Sequence, residues 1–508
     1  MTAIGQDICY ISAKELATAI RARKLSPVEL VRAVYERLHK TNDRINAFCT
    51  LIEEQAVSAA RKAEAAVMRG DPLGVLHGIP VSVKDLLLTR GVRTMFGSRT
   101  RESYVPEEDA PAVAKVREAG GIPIGKTTTP EFGFKAVTDS PLTGITRNPW
   151  DLSKTSGGSS GGAGAAVAAG LGPLALGTDG AGSIRIPASF NGIFGLKPSY
   201  GRVAVYPSNP VPFLSHVGPM TRTVRDAALL LNVIAGPDDR DLLSLPAEST
   251  DYLAACEGGI RGLRVAWSPT LGYAKVNSEV AEITNDAARS FETTLGCHVE
   301  AVVPGFESPC RWFAKLWTTS YALRFRALLP AWESRMDPDL VTLIKGSTYL
   351  GPSDFAEAMA MRSELWNMTR AFFDRFELLL TPTLPVPAFG AGLGAPEGIA
   401  AIAGALPPFP EWLPFTYPWN LTGQPAATVP CGFTCGGLPV GLQIVGRRFA
   451  DSTVLRAAAA FEDAYPWTHK QPTLVHSEHP KGLATFEVVI LSGEFEVVLL
   501  LTARHRSD

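Results

Sequence analysis

Three segments of the chain place basic or nucleophilic side chains among small residues. Lys84 lies near the end of GIPVSVKD, Ser159 lies in GGSSGG, and Ser183 lies in GTDGAGSIRIPA. A serine hydroxyl needs a base before it can attack a carbonyl carbon, and a lysine can be that base only when it is neutral. These residue types point to acyl transfer through an activated serine.

The residues before Lys84 predict a buried strand, because Val81 and Val83 alternate with small residues. Burial would lower the pKa of Lys84 from its reference value of about 10.4 far enough for a base that works near neutral pH. The alternative is a lysine at a strand end that pairs with the neighbouring Asp85. The motif alone leaves both interpretations open.

The loop before Ser183 consists of small residues whose backbone can approach a substrate closely. The N–H groups of Gly180, Ala181 and Gly182 are predicted to form an oxyanion hole. Neither a GxSxG motif nor a histidine near this serine in the sequence is present, which argues against a Ser-His-Asp triad.

The glycine-rich GGSSGG segment is not a phosphate-binding loop. A Walker motif needs Gly-Lys followed by Ser or Thr, whereas Ala163 follows Gly162 here. A flexible linker is also disfavoured, because the segment continues directly into an alanine-rich helical pattern.

The surrounding elements indicate an α/β core that holds these segments. Short β-branched runs at 79–83 and 122–124 alternate with helical segments, and strand and turn patterns return at 416–465. Between them, residues 305–415 are rich in Trp, Phe and Pro and predict a helical cover over the site. The sequence FEVV occurs twice in the tail, at 486–489 and 495–498, where a hairpin is one interpretation.

Taken together, these motifs resemble the amidase signature family. The resemblance is carried by SGGSSGGAGAAVAAG through GTDGAGSIRIPASFNGIFGLKPSYGRV, extends over roughly residues 10–465, and excludes the tail. It implies an α/β fold whose mixed, twisted β-sheet is covered by helices on both faces. It also implies a Ser-cisSer-Lys triad, which carries over to Ser183, Ser159 and Lys84.

The resemblance implies roles for the residues around this triad. Ser159 relays protons between Ser183 and neutral Lys84, while Asp179, Arg185 and Ser160 support the loops. The family usually has GTDxGGS, so Ala181 stands where glycine is common. Four further residues are placed near the acyl channel as substrate-binding residues: Met95, Phe96, Gly133 and Phe134.

The predicted function is hydrolysis of an amide, anilide or carbamate with an apolar or aryl group, with ester cleavage as a further activity. One alternative is the A subunit of a tRNA-dependent glutamine amidotransferase. Such subunits typically have Gln after Ser-Ile-Arg, where this chain has Ile186. The other alternative is a catalytically silent binding protein on the same fold, which the intact Lys84, Ser159 and Ser183 disfavour.

Composition narrows the partners. A net charge of −2 with 19% charged residues provides no basic surface for nucleic acid. No signal peptide or run of about 20 apolar residues is present, so we expect a cytoplasmic protein with no membrane partner. The seven scattered cysteines predict thiols, and Cys431 and Cys435 lack a second ligand pair for zinc. We expect no metal or cofactor, a small-molecule amide or carbamate substrate, and allow for a homodimer.

The expected organisation has five parts. They are an N-terminal helical segment packed on the core (1–70), a core that carries the catalytic motifs (71–300), a helical, aromatic-rich region that covers the substrate (301–415), the C-terminal part of the core (416–470) and a tail of unknown role (471–508).

Overall fold

The computed structural model describes residues 7–209, 211–396 and 412–475. The strands in these ranges are β1 (Phe48–Leu51), β2 (Pro80–Lys84), β3 (Ile122–Thr127), β4 (Asp139–Ser140), β5 (Gly144–Ile145), β6 (Arg147–Asn148), β7 (Asp151–Thr155), β8 (Leu174–Asp179), β9 (Phe194–Lys197), β10 (His216–Thr221), β11 (Arg264–Trp267), β12 (His298–Ala301), β13 (Leu378–Pro382), β14 (Ala426–Phe433) and β15 (Pro439–Gly446).

The α-helices in the same ranges are α1 (Ala13–Arg21), α2 (Pro27–Ile45), α3 (Glu53–Arg69), α4 (Pro111–Glu118), α5 (Gly161–Ala168), α6 (Arg185–Asn191), α7 (Val224–Ile234), α8 (Tyr252–Ala255), α9 (Ser278–Thr293), α10 (Cys310–Phe325), α11 (Leu329–Trp332), α12 (Pro338–Gly346), α13 (Pro352–Arg375), α14 (Pro418–Thr422) and α15 (Asp451–Ala464). The repeated FEVV segments of the tail lie outside the described residues.

Eleven of the strands form one mixed sheet. From edge to edge the order is β1-β3-β2-β8-β10-β9-β14-β15-β13-β11-β12. Strand β2 pairs in parallel with β3 and β8, and β11 pairs in parallel with β12 and β13. The other pairs in this sheet are antiparallel. This sheet, with helices around it, confirms the predicted fold class.

The two faces of the sheet carry separate apolar clusters, because successive strand residues point to opposite sides. In β13, Leu378 and Leu380 join one cluster while Leu379 joins the other. The first cluster includes α1, α2, α7 and α15, and the second includes α10, α12 and α13. The candidate site lies on the second face.

The N-terminal helices begin at serine caps. Ser12 caps α1 in a reciprocal box with Glu15, and Ser26 accepts from the N–H groups of Val28 and Glu29 at the start of α2. The division of the chain into five parts stays a prediction. No helix among the described residues is both long and apolar enough to cross a membrane.

Candidate active site

Strand β2 delivers Lys84 to the site face of the sheet. Val81 and Val83 belong to the first apolar cluster, so the side chains of Ser82 and Lys84 point to the opposite face. Lys84 is fully buried there. The predicted strand and the predicted burial of this lysine are therefore both found.

Three hydroxyl groups surround the Lys84 amine. Its Nζ lies 2.7 Å from Oγ of Ser159, 2.8 Å from Oγ of Ser160 and 2.9 Å from Oγ1 of Thr178. The Ser160 hydroxyl donates its own hydrogen to the carbonyl of Thr178 at 3.1 Å. Ser160 must therefore accept, rather than donate, in its contact with the lysine.

Burial lowers the pKa of Lys84 well below its ordinary value, and the more distant Asp179 opposes this shift only in part. No ion pair joins Lys84 to Asp85 within the described chain. Asp85 instead accepts from the N–H groups of Met95 and Gly97. The geometry excludes the alternative of a Lys84–Asp85 pair, and Asp85 orders the loop that carries Phe96.

The Ser159 loop approaches its neighbours too closely for side chains larger than hydrogen. A Cβ at Gly158 would lie 2.6 Å from the carbonyl carbon of Val137. The peptide bond between Gly158 and Ser159 is cis. Helix α5 begins at Gly161, whose N–H donates to Oγ1 of Thr138 at 3.0 Å.

Asp179, at the end of β8, organises the loop that carries Ser183. Its carboxylate accepts from the N–H of Gly182 at 2.8 Å and from the N–H of Ile184 at 3.2 Å. The N–H of Gly182 is therefore occupied, and the predicted oxyanion hole needs correcting at this residue. Within the part of the chain that the structure describes, the N–H groups of Gly180, Ala181 and Ser183 have no protein acceptor.

Arg185 locks Asp179 in place from the first turn of α6. The two side chains form a fully buried ion pair at 2.9 Å. Burial alone would raise the pKa of Asp179, but the guanidinium of Arg185 holds that pKa well below its usual range. Arg185 also donates to Oδ1 of Asn420 at 2.7 Å and to Oε1 of Gln443 at 2.8 Å. Sequence patterns gave no signal for these two distant amides.

The two serine loops meet at one cavity. The N–H of Ser160 donates to the carbonyl of Ser183 at 3.1 Å, and the side chains of Ser159 and Ser183 both line the cavity. Ser183 keeps 5% of its surface exposed and Ser159 keeps 2%. No hydrogen bond directly joins the two hydroxyls within the described ranges.

The cavity encloses about 100 Å³, less than the cavity of roughly 150 Å³ that holds benzene in an engineered protein. Among the four predicted substrate-binding residues, Phe96 and Gly133 line it, while Met95 and Phe134 do not. Met95 is buried behind the wall. Phe134 packs edge-on against Tyr321, and its carbonyl accepts from Nε1 of Trp317 at 3.2 Å.

The aromatic-rich stretch at 305–415 contributes only a few side chains to this cavity. Trp317 and Tyr321, one helical turn apart on α10, line it together with Arg324. Other aromatic residues of the stretch, such as Phe313 and Trp412, are fully buried in the second apolar cluster. Most described members of the stretch are therefore core residues; Phe409 lies outside the described residues.

His216 is a cavity residue that the sequence analysis did not associate with Ser183. It lies at the start of β10, paired with Asp179 across the sheet. Its Nδ1 faces the carbonyls of Asp179 and Leu214 at 3.2 and 3.1 Å, and its Nε2 lies 3.4 Å from Nζ of Lys197. Burial and the Lys197 cation lower the pKa of His216 well below its ordinary value. Both ring nitrogens are engaged away from Ser183.

The site is built from hydroxyl, amine and backbone groups. Among the described residues, no group of three or more His, Cys, Asp or Glu side chains is arranged to hold a metal ion. Cys431 and Cys435 are free thiols. The chemistry of these groups is that of a serine nucleophile with a buried amine as its base.

Proteins of known identity share this arrangement of sequence and fold. The model of the Amidase family matches residues 29–455. The chain is 40% identical to an acylamidase of Rhodococcus erythropolis over 92% of this chain and 98% of the relative. It is 36% identical to the GatA-type chain of the glutamyl-tRNA(Gln) amidotransferase of Moorella thermoacetica, over 92% and 99%. A crystal structure of a bacterial aryl acylamidase of the amidase signature family superposes with a TM-score of 0.85 at 31% identity, over 94% and 100%.

Proposed function

Because the chain belongs to the amidase family and is an amidase, we propose that Ser183 is its nucleophile, with Ser159 and Lys84 as the proton relay. The observation that carries this mechanism is the buried Lys84 amine, 2.7 Å from Oγ of Ser159. A lysine with a lowered pKa and no carboxylate paired to it is suited to accept a proton near neutral pH.

The hydroxyls around Lys84 support one direction for the relay. A neutral amine has two N–H donors and one lone pair. Ser160 accepts one of these hydrogens, since its own hydroxyl donates elsewhere, and Thr178 is placed to accept the second. The lone pair is then left for the hydroxyl of Ser159, which can give its proton to Lys84.

The reaction proceeds in two halves. In the first, Oγ of Ser183 attacks the amide carbon as its proton moves to Ser159, and the proton of Ser159 moves to Lys84. The C–N bond then breaks, the amine leaves with a proton returned through Ser159, and an acyl-enzyme remains on Ser183. In the second, water attacks the acyl carbon through the same relay, which releases the acid and restores all three groups.

The oxyanion that forms in each half needs hydrogen-bond donors. We assign this role to the N–H groups of Gly180, Ala181 and Ser183, which have no acceptor within the described chain. The N–H of Gly182 instead holds the loop through Asp179. The methyl group of Ala181 removes no backbone donor, so its departure from the family pattern is compatible with this role.

The preferred substrate carries an apolar group no larger than about one aromatic ring in the enclosed cavity. Phe96, Trp317 and Tyr321 supply an apolar wall, and the volume of about 100 Å³ limits what it can enclose. The rest of the substrate extends past Arg324 at the cavity wall. Aryl amides, anilides and aryl carbamates fit this description better than glutamine, which would place a charged amino acid against the wall.

Stand-alone hydrolysis is favoured over the amidotransferase alternative. The 40% identity to an acylamidase exceeds the 36% identity to the amidotransferase chain, at similar coverage. A glutamine site also needs groups that bind the ammonium and carboxylate of the amino acid. The aromatic wall beside Ser183 offers no carboxylate for an ammonium group, since Asp179 is already paired with Arg185.

A serine-directed fluorophosphonate tests the proposal. We expect a single covalent adduct on Ser183, mapped by peptide mass spectrometry, with loss of aryl amidase activity in proportion to labelling. A Ser183→Ala control should stay unlabelled, and a chelator should leave activity unchanged. An adduct on another residue, inactivation by the chelator, or efficient turnover of glutamine would contradict the assignment.

A further inference from the structure

A second cavity, separate from the site at Ser183, contains two arginines. It encloses about 260 Å³ and is lined by Tyr200, Arg362, Trp366, Thr422 and Arg448, together with three smaller or more exposed neighbours. We call it the arginine pocket. It shares no lining residue with the cavity at Ser183.

The fold positions the two guanidinium groups independently. Arg362 lies on α13, where its Nε donates to the carbonyl of Leu421 at 2.7 Å and its guanidinium lies 4.1 Å above the ring of Phe213. Arg448 follows β15, and its guanidinium lies 5.7 Å above the ring of Trp366. Arg362 and Trp366 are one helical turn apart and share a face of α13.

These two cations have no counter-ion in the described ranges. Neither guanidinium has a carboxylate within ion-pair distance, although many other arginines of the protein do. Burial and the neighbouring Arg448 cation lower the pKa of Arg362. With its Nε occupied, Arg362 still has two terminal NH₂ groups to offer. Two like charges at the wall of one cavity are stabilised by an anion between them.

We propose that the arginine pocket binds a small phosphate monoester. Two guanidinium forks match the charge and the geometry of a phosphate dianion better than those of a singly charged carboxylate. Ser363, Asn367 and Thr422 add hydroxyl and amide groups at the wall. The aromatic rings of Trp366 and Tyr200 provide a surface for the organic part of the ester. The volume lies below the usual range of about 300–1,000 Å³ for drug-sized ligands, so the ester must be small.

Calorimetric titration of the full chain with phenyl phosphate tests this site. We expect saturable 1:1 binding that weakens about tenfold or more in Arg448→Gln, because a charge-assisted hydrogen bond is lost. Arg362→Gln should have a similar or larger effect. Benzoate, with one negative charge and the same ring, should bind more weakly than phenyl phosphate.

Two variants serve as controls. Arg335 lies 4.7 Å above the ring of Trp332, outside the pocket, so Arg335→Gln removes an arginine stacked on tryptophan without touching the site. It should bind phenyl phosphate as the parent does. Ser183→Ala should also bind normally, which separates this site from the amidase site. Absence of saturable binding, equal affinity in Arg448→Gln, or loss of binding in either control would overturn the proposal.

Discussion

Replacing Lys84 with methionine should abolish most amide hydrolysis while leaving the protein folded. Methionine has a similar length but cannot accept a proton, so Ser159 loses its base. General acid–base catalysis contributes about 10²- to 10⁴-fold to rates, and we expect kcat/KM for an aryl amide to fall by an amount in this range. Because the Nζ of Lys84 contacts Ser159 directly at 2.7 Å, Ser159→Ala should cause a loss of similar size.

The same variant should discriminate between leaving groups. An amine leaves only with a proton, which reaches it from Lys84 through Ser159, whereas a nitrophenolate leaves without one. The kcat/KM for a p-nitrophenyl ester should therefore fall at least about tenfold less than that for the matched p-nitroanilide. Both substrates should carry the same acyl group, so that acyl-group binding affects them equally.

The pH profile provides a second readout. Burial lowers the pKa of Lys84, and the neutral form is the active one, so kcat/KM should rise with pH through that pKa. This rising limb should disappear in Lys84→Met. Thr178→Val is the matched control, because it removes one contact at 2.9 Å and keeps the amine. Loss of one hydrogen bond, worth about 0.5–1.5 kcal/mol, should lower kcat/KM only by roughly two- to tenfold.

Stability measurements separate a catalytic loss from a folding defect. Lys84 is neutral in the fold and protonated when unfolded near neutral pH, so the unfolded state binds more protons and the free energy of unfolding rises with pH below the unfolded pKa. Lys84→Met should remove this dependence without lowering the unfolding midpoint at pH 7. Equal losses for amide and ester, or an unchanged rising limb in a folded variant, would refute the assignment of Lys84 as base and proton source.

Two further predictions concern the supports of the site. Asp179→Asn should lower the free energy of unfolding by about 3–5 kcal/mol in chemical denaturation, because it leaves the buried Arg185 without its counter-ion; the exposed Asp374→Asn should have a much smaller effect, and equal effects would contradict the role of the buried pair. Trp317→Ala should reduce the preference for an aryl amide over acetamide, measured as a ratio of kcat/KM, by roughly tenfold or more, because it removes an aromatic wall of the cavity. An unchanged ratio would show that Trp317 does not select the substrate.

The amino-acid sequence determined the family, the sheet-and-helix class and the side of the sheet on which Lys84 lies. These features depend on local patterns. Alternation in β2 puts Val81 and Val83 on one face, so Lys84 must point to the other. Glycine at 158 is required because the loop passes within 2.6 Å of a neighbouring backbone, and the density of small residues already indicated such an approach.

The composition of the cavity wall could not be predicted in the same way. Phe96 lines the cavity and its neighbour Met95 does not, because the turn held by Asp85 directs only one of the two side chains inward. Aromatic residues at 305–415 form a helical pattern that is the same for core and pocket. Only the packing of α10 against the Ser183 loop selects Trp317 and Tyr321 as wall residues.

Only the tertiary structure decided how the loop at Ser183 is held. Asn420 and Gln443 follow Arg185 by more than 230 positions in the chain, yet both accept hydrogen bonds from its guanidinium. The N–H of Gly182 faces the carboxylate of Asp179 and is withdrawn from the predicted oxyanion hole. The direction of a backbone N–H and the partners of a buried ion pair depend on contacts between segments distant in sequence, and no local pattern of residue types encodes those contacts.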